Sequence, residues 1–165
     1  MELYIILIEI FLIIYIIYLM QGSTIRKCFK ENFIFKPECD NEPKLKQLHN
    51  ILKPMFEDNV QYDGVLKNIN KKKILYDLSL CNGEKSYTIN KEDIFLCLKD
   101  ENDKYYHDNM LIYVLLHEVA HSICPEIGHT DLFKEIFNAL LDKAIEMKIY
   151  DKNIPVIKNY CLYKK

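Results

Sequence analysis

The chain has 165 residues, half of them hydrophobic, with 22 lysine and arginine residues against 24 aspartate and glutamate residues and a formal net charge of −2. That length suffices for one domain with its own hydrophobic core. Glu2 and Glu9 fall in a strongly apolar N-terminal run; without them the acidic count is 24 − 2 = 22, equal to the basic count, and such a neutral body lacks the electrostatic footprint of a dedicated nucleic-acid binder.

The run MELYIILIEIFLIIYIIYLM (1–20) is long enough to cross about 30 Å of hydrocarbon as a helix. It lacks the positive start and small-residue cleavage site of a signal peptide, so it reads as a retained transmembrane anchor. On a helical wheel Tyr4, Phe11, Tyr15 and Tyr18 share one side, and Glu2 and Glu9 share the opposite one. Arg26, Lys27 and Lys30 follow the run and no basic residue precedes it, which predicts a single-pass membrane protein with its C-terminal domain in the cytoplasm. The six cysteines (Cys28, Cys39, Cys81, Cys97, Cys124 and Cys161) form no CxxC pair, and a reducing cytoplasm predicts that they are free thiols.

Residues 21–41 show little periodicity and read as a juxtamembrane linker, leaving 42–165 as the folded domain. A first helix follows Pro43, with Leu45, Leu48, Leu52, Met55 and Phe56 on helical spacing and Pro54 shortening it. His49 on that helix reads as a structural or exposed histidine. Residues 60–66, broken by Asp63-Gly64, and 74–80 are strand-like. Asn82-Gly83 then signals a hairpin into 86–89. The polar turn NKED leads to IFLCL (94–98), a continuous apolar run typical of a buried strand. Lys67 and the lysines at 71–73 make a small basic patch that reads as a solvated turn.

After a polar loop, Asp108 or Asn109 is positioned to cap the helix MLIYVLLHEVAHSI, which is apolar nearly all round and therefore expected in the middle of the domain. Pro125 closes it and Gly128 supplies a turn. Thr130-Asp131 opens a last helix whose core face carries Phe133, Ile136, Phe137, Leu140, Leu141, Ala144 and Met147.

The chemistry gathers in HEVAHSICPEIGH (117–129). His117 and His121, four apart on a helix, project from one face and can reach one metal ion, and Glu118 lies beside that ion, placed to take a proton from its water. A catalytic zinc site uses three protein ligands and leaves the fourth position to water. His129, carried back by the turn at Gly128, is the candidate third ligand, with Glu126, Asp131 and Glu135 as rivals. Cys124 reads as a buried or free thiol rather than a ligand. His107 sits at the far end of the helix, about 15 Å from His117 at 1.5 Å per residue, and is not expected to join.

LLHEVAHSICPEIGHTDLF resembles the WLM and SprT-like zinc metallopeptidases, in which HExxH is followed by a third histidine and, four residues later, a phenylalanine; His129 and Phe133 keep that spacing. The stretch IFLCLKDENDKYYHDNMLIYVLL is similar to the WLM approach to the active-site helix. The resemblance covers about residues 86–149. The interval from His121 to His129 lies between those typical of the two groups. The resemblance implies an α+β, zincin-like fold, with a small mixed β-sheet packed on the active-site helix, here preceded by the N-terminal transmembrane helix. It also implies a substrate chain that pairs with an edge strand, expected at 94–98. Zn2+ is the implied cofactor, held by His117, His121 and His129. The implied activity is hydrolysis of peptide bonds in a protein or peptide substrate, with Glu118 as general base and Tyr105, Tyr106 or Tyr160 as candidate donors to the developing oxyanion. The neutral charge balance gives no ground to carry over a role at DNA, and the oligomeric state stays open. The alternatives are a catalytically silent, zinc-binding scaffold on a membrane anchor, or an interaction module in which the anchor alone matters.

Overall fold

The computed structural model describes Cys39 and residues 41–161. Helix α1 spans Pro43–Leu52 and opens on a proline, whose fixed φ suits a first helical turn; it buries Leu45, Leu48 and Leu52. Pro54 has no amide hydrogen to continue the α-ladder, and the chain tightens into a 3-10 turn, Lys53–Phe56, that buries Met55 and Phe56. The segment expected to be strand-like at 60–66 is irregular. Gly64 takes a positive φ of 56° at the head of a short 3-10 turn, Gly64–Leu66, and the Tyr62 hydroxyl donates to the Met55 carbonyl at 2.8 Å.

Three short strands follow: β1 (Ser79–Asn82), β2 (Tyr87–Ile89) and β3 (Asp93–Leu96). Their order in the sheet is β1-β3-β2, with β3 parallel to β1 and antiparallel to β2. This overturns two local expectations. Asn82-Gly83 is no hairpin turn, because β3 inserts between β1 and β2. The hairpin instead joins β2 to β3, where Asn90 and Lys91 both adopt positive φ (51° and 59°) and the Glu92 amide donates to the Ile89 carbonyl at 3.0 Å. The apolar run expected as the edge strand is the central one, and β2 lies at the edge.

Helix α2 (Asp108–Ile123) packs on β2 and β3 on one side, and α3 (Asp131–Glu146) packs against α2. Leu111, Leu115, Leu116, Val119 and Ala120 of α2 join Leu80 of β1, Ile94 and Leu96 of β3, and Phe133, Ile136 and Leu140 of α3 in one core. The N-cap of α2 is His107, whose Nδ1 accepts from the Asn109 amide at 3.1 Å, one residue ahead of the expected caps. Asn109 is instead buried and clamps the chain beyond α3. Its Nδ2 donates to the Asp151 carbonyl at 3.0 Å, and its Oδ1 accepts the Asp151 amide at 2.8 Å.

The membrane-anchored fold class is corrected. Among the described residues no helix is long and apolar enough to cross a membrane. The most apolar helix, α2, has 16 residues, about 24 Å at 1.5 Å each, and its apolar side chains are spent on the protein core. The run 1–20 lies outside the described residues. The fold described is therefore a small α+β domain with a three-stranded sheet, and the single-pass membrane localisation loses its support. The free-thiol expectation, which rested on that localisation, is corrected too. Disulfides join Cys39 to Cys81 and Cys97 to Cys161, and among the described residues Cys124 alone is a free, buried thiol.

Candidate metal centre

Each part of HEVAHSICPEIGH is placed by its local chemistry. His117 and His121 lie one helical turn apart on α2, with ring centroids 4.9 Å apart. Cys124, the residue before Pro125, leaves the helix in an extended conformation (φ −65°, ψ 126°). The carbonyl of Cys124 accepts a hydrogen bond from Lys91 Nζ, which reaches across from the β2–β3 turn. Gly128 takes φ +86°, a conformation that side-chain-bearing residues rarely adopt, and returns the chain so that His129 meets the other two histidines. Thr130 then starts α3, its Oγ1 accepting the Phe133 amide at 3.3 Å.

Nε2 of His129 lies 3.0 Å from Nε2 of His117 and 3.2 Å from Nε2 of His121. Imidazole nitrogens at about 2.0–2.1 Å from a tetrahedral zinc stand about 3.3 Å from one another. The spacing therefore fits a zinc-sized cation. Hydrogen bonding among the rings is a poorer account of it. One ring nitrogen carries either a hydrogen or a single in-plane lone pair, so His129 Nε2 cannot serve both neighbours well. A cation can meet all three lone pairs at once. Among the described residues the only group of three or more potential ligands is His117, His121 and His129; Glu126, Asp131, Glu135, Cys124 and His107 are not part of it. Asp131 accepts instead from Lys134 Nζ at 2.9 Å, on the surface. His49 lies elsewhere, with Nε2 3.2 Å from the Leu75 carbonyl, in keeping with a structural role.

Phe133 forms the floor of the cluster. Its ring stacks on His121 at 4.2 Å and meets the rings of His117 and His129 at 5.0 and 4.9 Å. Packing three rings against one buried phenylalanine restricts their rotation before any ion arrives. Burial, with the neighbouring His121 and His129, pushes the His117 imidazole down to about 4. Burial and His129 lower that of His121 as well. Both rings are thus kept neutral, the state that binds a metal.

Glu118 is only 4% exposed, an unusual place for a carboxyl group. Burial raises it to about 6, and a hydrogen bond from Thr88 opposes that rise. Thr88 Oγ1 lies 2.7 Å from Glu118 Oε2. The sequence reading missed Thr88, although strand alternation contains the signal: Tyr87 and Ile89 are exposed, and Thr88 between them turns towards α2. The mistaken hairpin at Asn82-Gly83 obscured it.

His117 and Glu118 open onto a cleft of about 450 Å³, walled by Met110, Tyr113 and Val114 of α2 and by Val156, Ile157 and Tyr160 of the segment after α3. The Cys97–Cys161 disulfide, the Asn109 clamp and a hydrogen bond from the Cys161 amide to the Tyr106 hydroxyl at 3.2 Å fasten that segment. Of the three tyrosines considered, Tyr160 alone lines the cleft. Its hydroxyl lies 3.0 Å from Ser86 Oγ and donates to the Cys97 carbonyl, and burial pushes it up to about 12. Tyr105 is bonded to Glu42 Oε1 at 2.6 Å, away from the cleft.

No protein-family model matches the chain, and no solved structure matches it. The chain is 44% identical over 121 residues to the uncharacterized protein 136R of Invertebrate iridescent virus 6, covering 71% of this chain and 68% of that protein. It is 46% identical over 99 residues to the uncharacterized protein 042R of Invertebrate iridescent virus 3, covering 59% of this chain and 62% of the relative. It is 34% identical over 114 residues to the uncharacterized protein R325 of Acanthamoeba polyphaga mimivirus, covering 66% of this chain and 58% of the relative. It thus spans less than two thirds of the length of the latter two.

Proposed function

The chain belongs to the family of protein 136R of Invertebrate iridescent virus 6, and for it we propose the activity of a zinc-dependent metallopeptidase that hydrolyses peptide bonds of protein substrates. The observation that carries the proposal is the meeting of three histidine Nε2 atoms beside a buried glutamate that opens onto a cleft. The likeness of LLHEVAHSICPEIGHTDLF to WLM and SprT-like peptidases points the same way.

His117, His121 and His129 would hold the zinc through Nε2, and Phe133 orients their rings. Bound there, zinc supplies a Lewis acid that polarises a substrate carbonyl and acidifies a water. Glu118 moves the proton. Thr88 occupies Oε2, so Oε1 takes a hydrogen from the attacking water. As the carbon–nitrogen bond breaks, the same oxygen returns that proton to the leaving amine, giving a carboxylic acid and an amine, and the acid's proton then passes to the amine. The apolar walls of the cleft suit the side chains of an unfolded or extended peptide. β2 is an edge strand of the sheet and carries Thr88 beside Glu118, so it replaces 94–98 as the strand to which a substrate would add.

A zinc-binding protein without catalysis is the alternative. A buried glutamate beside the ligands argues against it, since a purely structural site has no use for a desolvated carboxyl group. The test is cleavage of an unfolded protein by the full chain, by the chain after chelation, and by Glu118→Gln. Cleavage by the untreated wild type alone, with Glu118→Gln still carrying zinc, supports the peptidase. Equal breakdown of substrate in all three samples sinks it.

A further inference from the structure

We propose that Thr88 is a positioning residue that aims the Glu118 carboxylate, so that the edge strand β2 is part of the catalytic machinery as well as a wall of the domain. The inference rests on the peptidase reading and assigns a role to a residue outside the HExxH motif.

The geometry has three parts. Thr88 Oγ1 is 2.7 Å from Glu118 Oε2 and 3.1 Å from the Glu118 carbonyl oxygen. A hydroxyl has one hydrogen to give, and the shorter contact with the stronger acceptor takes it. Thr88 is itself held still. It pairs with Ile94 of the central strand, and its branched Cβ restricts χ1. Finally, Glu118 is buried on α2, where a carboxyl group has few partners, and it lines the cleft with one of its two oxygens, Oε2, held by the threonine. Without this bond the carboxylate can rotate about its terminal torsions, which are broad for glutamate, and the proton-accepting oxygen is no longer aimed.

A simple cross-link between sheet and helix would show the same distance but a different response to mutation. The experiment uses the full chain as wild type, Thr88→Val, Thr88→Ala and Thr88→Ser. The Glu118 carboxyl carbon is read by carbon-13 NMR in glutamate-labelled, metal-free protein, its resonance identified by its loss in Glu118→Gln. Steady-state cleavage is measured in parallel on zinc-loaded protein. Positioning predicts that Thr88→Val and Thr88→Ala move the Glu118 resonance and lower kcat about tenfold or more with KM little changed, as expected for a lost hydrogen bond to a charged group. Thr88→Ser, which keeps the hydroxyl, restores both. An unmoved resonance in folded Thr88→Val or Thr88→Ala overturns the proposal, as does a kcat per bound zinc equal to that of wild type. Failure of the peptidase reading has its own signature, a zinc-loaded wild type that cleaves nothing; the metal-free resonance then still decides whether Thr88 holds the carboxylate.

Discussion

Removing the Cys97–Cys161 disulfide is expected to weaken the domain and loosen one wall of the cleft. The bridge closes a loop with a sequence separation of 64. In the chain-entropy account a loop of that size restricts the unfolded chain by about 4 kcal/mol at 25 °C. The second bridge, Cys39–Cys81, closes a loop with a separation of 42 that does not overlap the first, so the two contributions should be separable. The perturbation is the double substitution Cys97→Ala and Cys161→Ala, with urea unfolding followed by far-ultraviolet circular dichroism. The expected outcome is a loss of about 4 kcal/mol, with the loss of two buried sulfur atoms adding to it. Cys161, Tyr160 and Ile157 line the cleft, so the variant should also lose cleavage activity before it loses helix content. Alkylation of Cys97 and Cys161 in the unfolded, unreduced wild type would refute the pairing. A stability change below about 1 kcal/mol would refute the loop argument.

His129→Ala should weaken zinc binding by more than about a hundredfold while leaving α2 and α3 helical, measured by competition with a chromophoric chelator. Asn109→Leu keeps the side-chain size but strands the amide and carbonyl of Asp151; urea unfolding should report a loss of about 3 kcal/mol. Tyr160 is protonated more firmly in the fold, at about 12, than in the unfolded chain, so its contribution is complete below pH 10 and disappears as pH rises through 12. Tyr160 should therefore contribute about 1 kcal/mol to the fall in stability between pH 9 and pH 11, beside a similar contribution from buried Tyr62, and Tyr160→Phe should lose less over that interval.

The two long helices were legible because their signals are local. The apolar spacing of Phe133, Ile136, Phe137 and Leu140 and the cap at Thr130 all lie within a few residues of one another. The three histidines were legible for the same reason: i,i+4 spacing on a helix and a turn at Gly128 bring them together without help from the rest of the fold. Strand pairing is not local. Asn82-Gly83 has a hairpin composition, yet Gly83 is required by the close approach of β3: a Cβ there would stand 3.2 Å from that of Phe95 and 2.9 Å from the Lys85 carbonyl. The real hairpin uses Asn90-Lys91, and a lysine at positive φ is no turn signal. From that one misplacement followed the wrong edge strand and the omission of Thr88. The segment carrying Val156, Ile157 and Tyr160 has no periodicity to read, being held by a disulfide and by hydrogen bonds to α2 and its N-terminal approach.

The most direct test of the metal centre is X-ray absorption at the zinc edge on the purified chain, with zinc content measured on the same sample. Three imidazole nitrogens at about 2.0–2.1 Å and one oxygen, at one zinc per chain, are the predicted result. A zinc–sulfur shell near 2.3 Å would move the site to cysteine, and a chain that retains no zinc would contradict the account.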